Sequence, residues 1–193
     1  YESSISKDVL YRMVELDKDT LDSKLQELTT MRLVDEMVSD WGYSYSINNI
    51  ELKKLIYYRI PKGERIKIHE KIANLLEEKY KGNIDLVLEE LIYHLVGSNQ
   101  RDRAIKLIVE KARKEKNKFG PRALYLWEEA YEISKDMETD LKIEILEALG
   151  SIYFSRGDND KAIKTYEKLY EEAKKIDDFK HAAIAQLGLG EIY

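Results

Sequence analysis

The chain is 193 residues long, 44% hydrophobic and 36% charged, enough to bury the core of one or two domains. Two prolines and nine glycines leave too few tight turns for an all-β fold, and the lack of cysteine excludes disulfides, thiolate metal sites and a cysteine nucleophile. The net charge of −5 divides as −3 over residues 1–60, +2 over 61–134 and −4 over 135–193, a mixture suited to solvated helix surfaces and without the basic excess of a strong nucleic-acid binder.

The first elements are short. Val9, Leu10, Met13 and Val14 fall at helical spacing behind Ser6 as a cap, and a second helix follows Asp19 with Leu21, Leu25 and Leu28 on one stripe. The period then changes: residues 33–38 read as a strand, Asp40-Trp41-Gly42 as a turn, and residues 43–47 alternate with period two. From Ile50 onward every segment reads as helix. A helix carrying Leu52, Leu55, Ile56 and Ile60 breaks at Pro61-Lys62-Gly63, and a long one follows over about residues 64–80, with Ile68, Ile72, Ala73, Leu75 and Leu76 inward. Further helices are predicted over about 84–97, 101–117 and 121–135, the last opened by Pro121. The short breaks between them predict antiparallel hairpins. The most apolar stretch, from Leu86 to Val96, carries Glu89 and Glu90 in its middle, which marks a helix with one buried face and not a membrane span.

The last unit is the most regular. A helix over about 141–155 ends at Arg156-Gly157, Asp158 or Asn159 caps the next, which runs to about 175, and a third starts near Phe179 after Asp177-Asp178. Gly150-Ser151-Ile152-Tyr153 returns forty residues later as Gly190-Glu191-Ile192-Tyr193, and self-similarity at such a period predicts stacked helical hairpins. Gly150 allows close helix approach, Ala162 offers a matching small surface, and Tyr153 and Tyr166 fill the groove between. Most of the fourteen tyrosines are expected in helical cores. The second copy stops inside its first helix and Tyr1 opens without an initiator Met, so the sequence reads as a piece of a longer protein.

The sequence carries no recognisable catalytic or metal-binding motif. There is no GxxxxGK[ST] phosphate loop and no serine in a glycine-flanked elbow, and His69-Glu70 opens like HExxH but meets Ala73 at its fifth position. His69, His94 and His181 fall on separate predicted helices, each as a packed or capping residue. Glu90 and His94 stand one turn apart with no second pair to complete a metal site. The paired glutamates at 77–78, 89–90, 128–129 and 171–172 point about 100° apart on a helix and cannot share a proton. Lys111, Arg113, Lys114, Lys116 and Lys118 form the one basic cluster, a solvated helix end or a docking patch for an acidic partner or nucleic acid.

Leu149-Gly150, Tyr153, Ala162 and Tyr166 resemble a tetratricopeptide repeat (TPR) at that family's spacing, in a variant somewhat longer than the usual ~34 residues. Leu169 stands where the family prefers a small residue, a role Ala173 shares. Upstream, two helices followed by a β-hairpin resemble a winged helix without its first helix. Ile47-Asn48-Asn49 through Ile56-Tyr57, Glu64-Arg65 with His69 and Ala73, Tyr93-His94 and Arg103-Ala104 resemble the junction at which the winged helix of a STAND-class regulatory ATPase meets its helical repeats. That resemblance implies a signal-transduction or transcription-regulating ATPase whose nucleotide site lies before Tyr1. Asn49 departs from the histidine that commonly stands there, which in some members senses nucleotide.

The expected fold is therefore mainly α: a partial winged-helix domain with a β-hairpin over residues 1–60, a helical connector of degenerate TPR-like hairpins over 61–135, and an α-solenoid unit over 136–193. The expected scaffold residues are Leu149, Gly150, Tyr153, Ala162, Tyr166, Gly190 and Tyr193. The expected function is non-catalytic: a cytoplasmic regulatory module that binds a protein partner on its repeat surface, with no cofactor, no metal and no membrane contact. The alternative is a DNA-binding winged-helix regulator, against which the second helix sets Asp17, Asp19, Asp22 and Glu27 over Lys18 and Lys24.

Overall fold

A computed structural model of the chain describes residues 4–39 and 42–193. Two compact units form, one ending at Asn99 and one starting at Gln100. Among the described residues the fold is mainly helical, with ten α-helices and one small antiparallel sheet. No helix among them is long and apolar enough to cross a membrane.

The first unit opens with β1 (Ile5–Ser6), α1 (Lys7–Met13), α2 (Lys18–Thr30), β2 (Asp35–Ser39) and β3 (Gly42–Ser46). The strand order is β1-β3-β2, with Ile5 opposite Tyr45 and Glu36 opposite Tyr45 on the other side. Leu21 and Leu25 of α2 pack on Tyr45 at the centre of this sheet, joined by Leu10, Tyr11 and Val34. Polar links close the rim: the Tyr11 hydroxyl donates to Asp22 at 2.7 Å, and Lys7 pairs with the same carboxylate at 2.9 Å.

Local chemistry corrects several boundaries. Ser6 precedes α1 but its side chain makes no cap bond; α2 begins at Lys18, because Asp17 accepts from the Thr20 backbone N–H at 2.9 Å. Residues 33 and 34 are not strand: Arg32 adopts a φ of 55°, and the Leu33 N–H still bonds back to Leu28, so the chain is unwinding from the helix there. Asp40 and Trp41, expected in the turn, lie outside the described residues.

The unit continues with α3 (Ile50–Arg59), capped by the Asn49 side chain on the Leu52 N–H, then α4 (Lys62–Lys79), a 3₁₀ turn (Ile84–Val87) and α5 (Leu88–Gly97). Ile72, Ala73 and Leu76 of α4 meet Leu91, Ile92 and Leu95 of α5, all buried. No residue of α3 is buried.

The second unit is an antiparallel run of α6 (Arg101–Lys114), α7 (Pro121–Ser134), α8 (Lys142–Ser155), α9 (Asn159–Lys175) and α10 (Phe179–Ile192). Pro121 opens α7, where the missing N–H costs no helix bond. The α8–α9 and α9–α10 links use the same device. Gly157 (φ 76°) and Asp177 (φ 56°) turn the chain left-handed, and Asp158 and Asp178 cap α9 and α10. Their own N–H groups donate to the Tyr153 and Ala173 carbonyls, both at 2.9 Å.

The packing centre of α8, α9 and α10 is the buried ring of Tyr166. A Cβ at Gly150 would lie 2.6 Å from that ring, and so would a Cβ at Gly188. The expected partner Gly190 has nothing within 4 Å of its Cβ position, and Tyr193 is 89% exposed. The two close approaches are therefore thirty-eight residues apart, not forty, with Leu149-Gly150 answered by Leu187-Gly188. Leu149, Tyr153, Ala162, Tyr166, Leu169 and Ala173 are buried.

The tyrosine expectation is also corrected. Only Tyr45, Tyr153 and Tyr166 are buried among the described residues, whereas Tyr43, Tyr58, Tyr93, Tyr125 and Tyr193 are exposed. A phenol has a polar end that favours the water boundary.

Gly150→Ala and Gly188→Ala should each destabilise the second unit by about 1–3 kcal/mol, because Tyr166 is held from both sides and cannot give. Gly190→Ala should be neutral or stabilising by up to about 1 kcal/mol through helix propensity alone. Urea unfolding of the three variants separates the two glycine classes.

Candidate protein-binding groove

The second unit carries an open groove of about 420 Å³ between α6, α7 and α8. Its floor is apolar and nearly buried: Ala112 of α6, Trp127 of α7 and Ile152 of α8. Ala148 and Ser151 line the α8 side with short side chains and leave the floor open.

One end is formed by Lys118 and Phe119 in the α6–α7 connection, where Phe119 stays 50% exposed. The connection is folded tightly. Asn117 accepts from the Phe119 N–H at 3.2 Å, its carbonyl accepts from the Gly120 N–H at 3.0 Å, and a Cβ at Gly120 would press on the Asn117 side chain.

Charges of both signs stand along the rim. Arg113 grips Glu144 with two bonds, Nε to Oε1 at 2.6 Å and Nη2 to Oε2, and this contact holds the arginine above its ordinary pKa. Glu147 faces His181 of α10 at 3.5 Å. His181 is fixed by Asp178, Nδ1 to Oδ2 at 2.5 Å, and the backbone and ring N–H groups of His181 pull the Asp178 carboxyl below its ordinary range.

The expected basic patch is thereby divided. Arg113 and Lys118 line the groove; Lys114 pairs with Glu110 one turn back, and Lys116 lies past the end of α6. Glu115, in the middle of the cluster, pairs with Arg122 at 3.3 Å. The result is a groove with an apolar floor and alternating charge, not a uniformly basic surface. Tyr153 serves the scaffold: its hydroxyl donates to Glu128 at 2.7 Å, and burial and that carboxylate hold its pKa well above the usual value.

The groove could not be found by motif. Phe119, Trp127, Glu144, Glu147 and Ser151 come from two helices and a turn, and the single signal was the run of small residues Ala148, Gly150 and Ser151 on α8.

A second polar cluster lies in the first unit. His69 and His94 stand 25 residues apart on successive helices, yet α4 and α5 bring their Nδ1 atoms to 3.0 Å. Both rings are buried, at 5% and 8% exposure. Tyr57 of α3 places its hydroxyl 3.2 Å from His69 Nε2. Gly97, one turn beyond His94, makes the room: a Cβ there would lie 2.5 Å from His69 Nδ1.

Burial, and then the nearby Arg65 guanidinium, lower the pKa of His69; burial, and then His69, lower His94 to about 4. Among the described residues no group of three His, Cys, Asp or Glu side chains is arranged to hold a metal ion.

The pair predicts an acid-sensitive first unit. The unfolded imidazole titrates near 6.5 and the folded His94 near 4, so the unfolded state takes up the proton first as pH falls. Stability is complete above about pH 6.5 and declines toward pH 4, with His94 alone withholding about 3 kcal/mol at the acid end. Chemical denaturation at a series of pH values, followed by circular dichroism, should show this slope in global stability; a flat profile would exclude a neutral buried pair.

Comparison with known proteins adds no relative to this geometry: no family model, no curated protein and no solved structure matches the chain.

Proposed function

We propose that this chain is a non-catalytic interaction and regulatory module that binds a protein segment in the α6–α8 groove. The carrying observation is that groove itself: an apolar floor of Ala112, Trp127 and Ile152, an exposed Phe119 at one end, and a mixed-charge rim. Such a surface suits an extended or helical peptide with an apolar anchor, whose charges choose the register.

Two further features support the wider reading. Tyr166 packed between Gly150 and Gly188, with matching left-handed helix ends, supports a TPR-like solenoid for the second unit. Two helices between β1 and β2, with β3 central in the sheet, support a winged helix for the first. Together they favour a cytoplasmic signalling or transcription-regulating ATPase of the STAND class as the parent. In that parent the repeats would read a partner and the winged helix would relay the signal. The DNA-binding alternative is weakened by α2, where Lys24 is engaged by Glu27 and Asp17 and Asp19 stand in or beside the first turn.

The test begins with peptides selected from a random display library against the purified chain. Their affinities are then measured for wild type and for Ala148→Trp, which fills the groove, after circular dichroism confirms that the variant is folded. Binding should weaken at least about tenfold, or about 1.4 kcal/mol. Equal affinity for the blocked variant would remove the groove from the proposal, and salt-sensitive binding to random duplex DNA would favour the alternative.

A further inference from the structure

Helix α3 is attached to its surroundings in an unusual way. Its outward residues are open to solvent, with Ile50 67%, Leu55 54% and Tyr58 73% exposed, and none of its side chains enters the core. Its inward anchor on α4 is Tyr57, half-buried, whose ring stands edge-on to His69 and whose hydroxyl meets Nε2. The Arg65 guanidinium covers the Tyr57 ring at 4.7 Å and the Tyr58 ring at 5.6 Å. Behind His69 the chain of contacts continues to His94, which is buried on α5.

We propose that Tyr57, His69 and His94 form an acid-opened latch that holds α3 on the α4–α5 hairpin. The argument is one of proton positions. Two neutral imidazoles carry two protons on four ring nitrogens, so one hydrogen occupies the Nδ1–Nδ1 contact and the Tyr57 contact is satisfied in either of two ways. Tyr57 donates to His69 and His69 donates to His94, or both donations run in the opposite direction.

A first added proton on His69 keeps both bonds in place, through Nδ1–H to His94 and Nε2–H to the Tyr57 oxygen. It does so at the cost of a buried cation close to Arg65. A second proton puts a hydrogen on each Nδ1 atom at 3.0 Å, and no arrangement preserves that contact. The rings must part. His69 is already against the backbone at Gly97, which leaves it little room on the α5 side.

The surrounding groups do not rescue the charge. From α3 come Tyr57 and Tyr58, neither a carboxylate; from α4 comes Arg65; from α5 comes Tyr93, its ring 5.3 Å from His69 and 5.2 Å from His94. Glu90, one turn before His94 on α5, is itself pushed toward its neutral acid by burial. Among the described residues the charges that act on the pair are that of Arg65 and those of the imidazoles themselves.

The hairpin beneath remains held by Ile72, Leu76, Leu91 and Leu95, so opening is local. Release of α3 withdraws no core side chain, which makes it the least costly response to acid.

Hydrogen exchange resolved by segment, with the intrinsic pH dependence removed, tests the latch from neutral pH to about pH 4.5. Protection in α3 should fall at least about tenfold while Ile72 and Leu91 remain protected. His94→Gln, which offers an amide oxygen to His69 but does not titrate, should suppress the acid response. Tyr57→Phe should exchange rapidly in α3 already at neutral pH and change little on acidification.

Retained α3 protection in acid overturns the proposal, as does an acid response in His94→Gln equal to that of wild type. Simultaneous loss of protection in α3, α4 and α5 also overturns it, since that is unfolding of the unit and not a latch. Should His94→Gln lack the native circular dichroism spectrum, Tyr57→Phe decides: wild-type α3 protection in that variant at neutral pH is equally fatal.

Discussion

Helices in this chain reach their working separation where a ring sits directly on backbone that carries no Cβ. In the second unit the ring is Tyr166, with Gly150 on one side and Gly188 on the other; in the first it is His69 against Gly97. The physics is common to both. A missing methyl lets an aromatic face approach to contact distance, so dispersion is gained along a whole ring where a side chain would have held the helices apart. The outcome depends on the polarity of the ring. A phenol packed by its carbons makes a firm scaffold, and an imidazole in the same position brings a titratable group into the core.

The groove shares a helix with that scaffold. While α8 approaches α9 through Gly150, its Glu144, Ala148 and Ser151 line the groove, whose floor opens onto Trp127 and Ile152. The Arg113–Glu144 pair on the rim has side chains 54% and 35% exposed, so after solvent screening it contributes at most about 1 kcal/mol to folding. Its larger effect is geometric. Two parallel bonds fix the guanidinium plane, and a fixed pair at the edge of an apolar floor presents both signs of charge at known places. Such an edge discriminates among partners more than it adds affinity.

Much of the helical organisation was legible in the sequence, and for local reasons. The Gly157-Asp158 and Asp177-Asp178 breaks and Pro121 at a helix start are decided within a few residues of chain, where backbone preference and one hydrogen bond suffice. The Ser6 cap failed because the adjacent segment pairs as β1, only two residues long and held by β3 across the sheet. The recurrence of Gly-Xaa-Ile-Tyr drew attention to Gly190, whereas the packing uses Leu-Gly at 149–150 and 187–188. Letters recur for many reasons, and only the partner ring tells which glycine is needed. The His69–His94 contact and the groove were illegible for a further reason. Each is assembled across helices, and nothing in the spacing of a single helix encodes which residue faces it from the next.

The first unit, whose buried Ser98 hydroxyl also bonds back to carbonyls of α5, differs from the second in holding one buried polar pair across helices. In the second, the buried hydroxyls of Ser134 and Thr165 bond back to carbonyls of their own helices, Tyr131 at 3.0 Å and Lys161 at 2.8 Å. Those bonds involve no group that changes charge in the neutral range, and they close within one turn, so neither acid nor helix movement disturbs them. In the first, the buried polar pair spans two helices and engages a third through Tyr57, and each of its bonds depends on where one proton resides. A surface meant to select a partner benefits from the first kind of interior, which keeps the floor and rim in fixed register. A segment with no buried side chains of its own, such as α3, can be governed by the second kind, because its one hydrogen bond to a buried ring is among its main attachments.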